Sequence, residues 1–297
     1  MRIAITGARG LIGNALRKRL AGDGHKVVCV GRYVSTHPPD VRWSIPHAQL
    51  NGASLEGLDA VIHLAGEPIV GKWTYAKMRA IRDSRVDGTR LLAATLANLN
   101  RKPAVLISAS AVGYYGDRGD EVLDETSGPG NGFLADVCRD WEAAAQPAET
   151  AGIRVVHPRL GVVISPDDGA LKRMLPAFRM GLGGPLGFGS QWMSWVGLDD
   201  VVAAFCHMIA DGSVSSPVNG VSPQPVTNRQ FTRALAGVLR RPAVCPLPRF
   251  AARLALGKLA DEALFASQRV EPGVLKRSGY GFIRPRLESA LRAALRR

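Results

Sequence analysis

The stretch Arg2-Ile3-Ala4-Ile5-Thr6-Gly7-Ala8-Arg9-Gly10-Leu11-Ile12-Gly13 decides how the rest of the chain is read. A short apolar run ends in three glycines at three-residue spacing. Ile12, Leu16 and Leu20 then recur at four-residue intervals, one face of a helix. Each glycine has a purpose in such a strand–turn–helix unit. Gly7 permits a tight turn, Gly10 lets the backbone approach a pyrophosphate, and Gly13 lets the helix lie close to the strand. The helix start, with Leu11 and Ile12, offers unpaired N–H groups and a partial positive charge to phosphate oxygens. The spacing is one residue looser than the common dinucleotide fingerprint. Its place between a strand and a helix at the head of the chain makes the signal strong.

Outward from this turn, apolar runs alternate with helical stretches. Val27–Val30, Ala60–Leu64, Ala104–Ile107 and Arg154–His157 read as strands, with helices expected over about 77–96 and 133–151. Such alternation implies right-handed crossovers and an α/β doubly wound parallel sheet. Past Pro158 the pattern changes. Residues 166–195, with Gly181, Gly183 and Gly184, read as a loop-rich excursion, and beyond Pro225 helical periodicity returns without clear strands. The expected organisation is a dinucleotide-binding Rossmann domain over 1–165, rejoined by 196–224. A smaller, mostly helical substrate-side lobe covers 166–195 and 225–297.

The residues that follow the second strand bear on which dinucleotide binds. An acid about 20 positions past the glycine turn would hold the 2′-hydroxyl of NAD. Here the strand ends Cys29-Val30-Gly31-Arg32, with Arg32 where the acid would stand, and Arg9 lies inside the turn. A guanidinium suits a 2′-phosphate through paired, charge-assisted hydrogen bonds. The expected cofactor is NADP(H).

The glycine turn, His63-Leu64-Ala65-Gly66, the Ser-Arg-Val-x-Gly-Thr run at 84–89, and Ile107-Ser108-Ala109-Ser110 followed by Tyr114-Tyr115-Gly116 together resemble the extended short-chain dehydrogenase/reductases. The match covers nearly the whole chain. It looks most like the atypical epimerase-family branch (nucleoside-diphosphate-sugar epimerase-like) with its own C-terminal domain. The resemblance implies cofactor contacts for Leu64, Ala65 and Gly66 on the adenine and ribose side and for Ser108 and Ala109 along the nicotinamide ribose. It implies the same for Pro158 and Leu160 beside the nicotinamide ring, and it matches Ser110 to the family's catalytic serine.

The family's Tyr-x-x-x-Lys pair is missing. Phe133 and Val137 fall at those positions, and neither can move a proton. Arg85 falls near the place of the family's helix asparagine. Tyr114 and Tyr115, four and five residues past Ser110, are the nearest phenols to stand in. Two readings follow: an NADP(H)-dependent oxidoreductase or epimerase-like enzyme acting on a small molecule, with Ser110 and Tyr114 or Tyr115 as polar groups, or a non-catalytic NADP(H) sensor that binds a partner. His63, at a strand end, reads as a structural hydrogen-bonder.

Composition narrows the field. With 46% hydrophobic residues, 297 positions suffice for a large core. The first strand starts almost at the initiator and no apolar run is long enough to cross a bilayer, so a cytoplasmic protein without membrane attachment is expected. Cys29, Cys138, Cys206 and Cys245 are too scattered for a disulfide framework or zinc site, and the histidines lack ligand spacing, so no metal is expected. The net charge of +13 is concentrated in 225–297, which holds 15 Lys+Arg against 4 Asp+Glu. Without aromatic interleaving or a recognised motif, this reads as a solvated basic face rather than a nucleic-acid surface. Folds of this kind often pair through helices of the first domain, so a homodimer is a further expectation.

Overall fold

The structure, a computed structural model, describes residues 1–32 and 39–296. β1 (Arg2–Thr6) leads through the glycine turn into α1 (Leu11–Gly22), then β2 (Lys26–Gly31), β3 (Val41–Ser44), β4 (Gln49–Leu50), β5 (Ala60–His63), α2 (Tyr75–Ala97) and β6 (Val105–Ser108). The short β7 (Ser110–Ala111) and β8 (Val122–Leu123) follow, then α3 (Phe133–Ala143), α4 (Gln146–Thr150) and β9 (Arg154–Val156). β1 to β6 and β9 form a seven-stranded sheet in the order β4-β3-β2-β1-β5-β6-β9. All neighbours are parallel except the edge strand β4, which runs antiparallel to β3. This is the doubly wound Rossmann order. The chain winds one way from β1 to β3 and the other way from β5 to β9, so the crevice for a ligand opens between the carboxyl ends of β1 and β5.

Both faces of the sheet are covered, which is why its strands are continuously apolar. Alternate residues of β1 point to opposite sides. Ile3 and Ile5 join Leu16, Ile62 and Phe205 in one core, while Ala4 joins Val28, Val61, Leu92 and Leu106 in the other.

The second half contains β10 (Pro158–Leu160), β11 (Val162–Ile164), α5 (Gly169–Arg179), β12 (Trp192–Met193), β13 (Trp195–Gly197), α6 (Leu198–Ala210) and β14 (Val218–Gly220). It continues through β15 (Val226–Thr227), α7 (Asn228–Leu239), α8 (Arg249–Leu256), β16 (Arg269–Val270), α9 (Gly273–Arg277) and α10 (Leu287–Leu295). Its own core gathers Leu171, Phe178, Trp195, Phe231, Leu235 and Leu291. α6 packs on the main sheet, and its buried Asp200 ties down the C-terminal segment. The Asp200 carboxylate accepts the amide protons of Ile283 (2.7 Å) and Arg284 (3.0 Å), and its main-chain carbonyl accepts the Tyr280 hydroxyl (2.9 Å).

Local readings differ from the structure at several points. Residues 169–179 form a helix inside the expected loop excursion. Asp168 caps it, and Leu171, Leu175 and Phe178 bury one face in spite of Pro176. The single helix expected over 133–151 is interrupted at Ala144–Ala145, with Pro147 opening the second piece. The strand read as Arg154–His157 ends at Val156. The helical region beyond Pro225 includes β15 and β16. These two-residue strands pair with β12 and β8, too short for an alternation pattern to register. Among the described residues, no helix is long and apolar enough to cross a membrane.

Candidate functional site

At the carboxyl ends of β1 and β5 the backbone is packed against itself. Gly7 has φ +66°, and a side chain there would press on the Leu64 carbonyl carbon at 2.8 Å. One at Gly13 would meet the Ala8 Cα at 2.8 Å. The turn therefore holds α1, β1 and the loop after β5 at backbone contact. Gly10, the N-cap of α1, supplies no capping side chain, and the first turn carries no acid. Its amides stay available to an acceptor from outside the chain. Arg9 and Gly10 are exposed, and Leu11 and Ile12 are half-buried.

A buried polar pin holds the loop after β5. Thr6 Oγ1 accepts the amide protons of Leu64 (3.0 Å) and Ala65 (3.1 Å) and lies 2.7 Å from His63 Nδ1. With its lone pairs occupied, the hydroxyl donates to Nδ1, and Nε2–H donates to Thr89 Oγ1 at 3.0 Å. Burial, helped by the charges of Arg85 and His157, pushes the His63 pKa down to about 3. The neutral ring is a fixed spacer.

Arg32 lies exposed at the end of β2. Burial and Asp40 raise the Cys29 thiol pKa while Arg17 and Arg9 oppose them, so both arginines stand near this strand. Asp40, eleven residues past Cys29, accepts the Cys29 amide proton at 2.7 Å. β3 starts too late to satisfy that amide, because its register begins at Val30↔Val41. Counting along the sequence could not show this carboxylate.

α2 fixes the next loop segment. Ser84 Oγ accepts from the Glu67 amide (2.9 Å), Arg85 Nη1 donates to the Glu67 carbonyl (2.9 Å), and Lys77 pairs with the Glu67 carboxylate (2.6 Å). Gly66 is exposed, with the Arg85 guanidinium close to where its Cβ would stand. Phe133, at the head of α3, meets Trp73 edge to face at 5.1 Å. The α3 start lacks its own cap. Glu262, 128 residues on, accepts the Leu134 amide proton at 2.8 Å.

The three residues singled out for chemistry lie in or beside one buried network. Ser110 Oγ donates to Glu142 Oε1 (2.6 Å), and Arg159 grips both oxygens of that carboxylate at 2.9 and 2.8 Å. Arg159 Nη1 also donates to the Tyr115 hydroxyl (3.0 Å). That hydroxyl in turn lies 2.7 Å from Asn219 Oδ1 and 2.9 Å from the Asp124 carbonyl. Burial opposes the charge on Arg159, yet the hydrogen bonds and charge of Glu142 hold its pKa above the usual range. Tyr115, one of the two phenols read as able to stand in, has no exposed surface, and burial raises its phenol pKa. Tyr114 is half-buried beneath the Arg159 guanidinium, 3.5 Å from its ring centroid, with no hydrogen bond on its hydroxyl among the described residues. Val137 is buried in the α3 packing.

Leu64 and Leu160 are half-buried against the main core, Ala65 against the core on the other face, and Ala109 and Pro158 are buried. Ser108 is wholly buried, its Oγ without a partner. Its carbonyl faces His157 Nδ1 at 3.2 Å. Sequence reading gave Glu142 and Asn219 no role and did not foresee the buried pairing of Arg159, which lies in the segment expected beside the nicotinamide ring. One signal was present for Arg159: a charged residue inside an apolar strand run must find a buried counter-charge. No group of three or more His, Cys, Asp or Glu among the described residues is placed to hold a metal ion.

Comparison with known proteins fits this architecture. The sequence profile of the NAD dependent epimerase/dehydratase family matches residues 3–219, and a domain of unknown function, DUF1731, matches 247–294. The chain belongs to the NAD dependent epimerase/dehydratase family. It is 43% identical over 281 residues to epimerase family protein Mb2239 of Mycobacterium bovis, spanning 94% of this chain and 93% of that protein. The crystal structure of human epimerase family protein SDR39U1 (isoform 2) with NADPH superposes with a TM-score of 0.91 at 32% identity, covering 100% and 99% of the two chains. The nucleoside-diphosphate sugar epimerase of Corynebacterium glutamicum gives a TM-score of 0.81 at 36% identity, over 99% of this chain and 58% of that one.

Proposed function

We propose that this protein binds NADP(H) at the carboxyl ends of β1 and β5 and reduces or oxidises a small carbonyl or alcohol substrate. One observation carries the reading. The Gly7–Gly13 turn leaves no room for a side chain at Gly7 or Gly13, and it ends at an uncapped helix start flanked by Arg9. The fit to a dinucleotide is good: Leu11 and Ile12 amides for the pyrophosphate, Arg9 and Arg32 for a 2′-phosphate, and Leu64, Ala65 and Gly66 along the ribose. The human relative crystallised with NADPH supports the same choice.

When bound, NADP(H) supplies hydride transfer at nicotinamide C4. The chain's own residues bind, orient and exclude water. Tyr114 is the phenol whose proton remains free to pass to or from a substrate oxygen, whereas Ser110 has its proton committed to Glu142 and Tyr115 is sealed. The test is a fluorescence titration with NADPH and NADH, followed by a carbonyl screen. NADPH should bind at least about tenfold tighter, Arg32→Ser should erase most of the preference, and Tyr114→Phe should abolish turnover with cofactor affinity intact. Equal affinity for the two cofactors would remove the arginine argument. Unchanged turnover in Tyr114→Phe would remove that phenol from the chemistry.

A second reading is favoured by Phe133 and Val137, which leave α3 without a proton-transfer group. In it the protein is an NADP(H)-responsive binding module. It predicts tight NADPH binding, no turnover across the screen, and a partner retained on a column only when NADPH is present.

A further inference from the structure

Two arginines, the buried Arg159 and the half-buried Arg85, line this site, and only Arg159 is gripped by a carboxylate. Arg159 is gripped by Glu142. Arg85 has no ion pair among the described residues, and its hydrogen bonds both come from Nη1, to the main-chain carbonyls of Glu67 and Ile81. The nearby Glu67 carboxylate is taken by Lys77 at 2.6 Å. Nε and Nη2 of Arg85 have no acceptor, yet neither is sealed from solvent. The guanidinium stacks 5.1 Å from the Trp141 ring centroid, whose own buried Nε1–H is also without a partner. On its other side it lies 3.2 Å from where a Gly66 Cβ would stand, at the exposed loop after β5. Burial lowers its pKa while Cys138 and Glu67 oppose the shift, which places it against α3 as well. Cys138 in turn feels Ser110 and Glu142, so Arg85 and Ser110 flank the same thiol.

This corner therefore leaves the Nε and Nη2 donors of Arg85 unmatched, while the Glu67 carboxylate is paired with Lys77. Arg85 is half-buried and has no ion pair of its own among the described residues, so a ligand that brings an anion would gain a charge-assisted partner there. A planar guanidinium whose Nε/Nη2 edge is free matches a carboxylate better than any other common group. α3 presents Val137 and Trp141 on one face at i, i+4 spacing, so the Arg85 charge enters from α2 onto the face where the family's lysine would have stood.

We propose that Arg85 is a substrate-specificity residue that receives a carboxylate, and that the substrate of this protein is a carboxylate-bearing carbonyl or alcohol compound. The edge-to-face Trp73–Phe133 pair, between the loop after β5 and the head of α3, offers an apolar surface for the rest of such a molecule. The proposal rests on the NADP(H) reading above, and its test separates the two. The probes are benzoate and its neutral isostere benzamide, titrated calorimetrically into NADPH-saturated protein, with NADPH and inorganic pyrophosphate titrated separately.

In the unaltered protein benzoate should bind at least tenfold more tightly than benzamide. Arg85→Met should lose tenfold or more of the benzoate affinity while NADPH and pyrophosphate affinities stay within twofold. Arg85→Lys, which keeps the charge but not the fork, should fall between and guards against a misfolded Arg85→Met protein. Equal binding of benzoate and benzamide, or benzoate affinity unmoved in Arg85→Met, overturns the assignment. A loss confined to NADPH and pyrophosphate also overturns it, because the anion would then be the cofactor's. Failure of NADPH itself to bind the unaltered protein sinks the cofactor reading, whereas the benzoate-against-benzamide comparison without NADPH still judges Arg85.

Discussion

The environments of Arg159 and Arg85 are the most instructive pair of regions in the molecule. Around Arg159 the guanidinium nitrogens and both oxygens of the Glu142 carboxylate are used. The guanidinium and the Glu142 carboxylate are only 4% and 14% exposed, and Ser110, Tyr115 and Asn219 close the circuit. Around Arg85 donors outnumber acceptors, and the surplus faces the open loop at Gly66. The first arrangement is what a fold needs to keep charge inside at tolerable cost. The second is what a fold keeps when something else supplies the missing charge. In this chain the serine and one of the tyrosines that sequence reading selects for chemistry have been drawn into the first kind of region. Besides the Tyr114 phenol, the cationic group available to a ligand lies in the second.

The contrast is breakable by experiment. The largest effect should come from Arg159→Met, which strands the Glu142 carboxylate. A loss of about 3–5 kcal/mol is expected, read as the midpoint shift in urea unfolding. A loss under about 1 kcal/mol would mean that water reaches Glu142 and that the region is not sealed.

Gly13→Ala should follow. Its new methyl would press on the Ala8 Cα and the Gly7 carbonyl, loosening the turn by about 2 kcal/mol and weakening NADPH binding by roughly 100-fold. Wild-type NADPH affinity in Gly13→Ala would break the claim that this turn carries the cofactor.

His63 gives a pH-dependent effect of similar size. Its folded pKa of about 3 lies below the unfolded value near 6.5. Below pH 6.5 the unfolded chain takes up a proton that the folded one refuses. Stability is then full above that pH and declines as pH falls toward 3, by about 2 kcal/mol between pH 6.5 and 5. The His63→Gln variant should show a shallower slope over this window in thermal melts, by close to one proton. An identical slope would place the titration elsewhere, for example on buried His157, whose pKa is also lowered by burial.

Smallest of all, Ser110→Ala removes one charge-assisted bond while Arg159 keeps Glu142 satisfied. About 1 kcal/mol of stability should be lost, with NADPH affinity within twofold. An effect as large as that of Arg159→Met would show that the hydroxyl, not the guanidinium, holds the carboxylate in place.

The sequence by itself determined the winding. Gly7, Gly10 and Gly13 between an apolar run and a 3.6-period face specify a strand–turn–helix, and continuous apolar strands alternating with helices specify a sheet covered on both sides. These are local facts of sterics and periodicity, and a single chain segment records them. It also showed that Phe133 and Val137 cannot move protons, since that depends on side-chain chemistry alone.

Tertiary structure decided everything that depends on which distant groups meet. Tyr115 is sealed because Asn219, 104 residues away, turns its amide oxygen toward the hydroxyl. The α3 head is capped by Glu262, and the β2 amide of Cys29 by Asp40, each supplied from outside the segment it serves. Arg159 and Arg85 differ in whether a carboxylate grips the guanidinium. Burial and counter-charge are properties of three-dimensional neighbourhoods. No spacing rule along the chain encodes them, so they became readable only once the strands and helices were packed together.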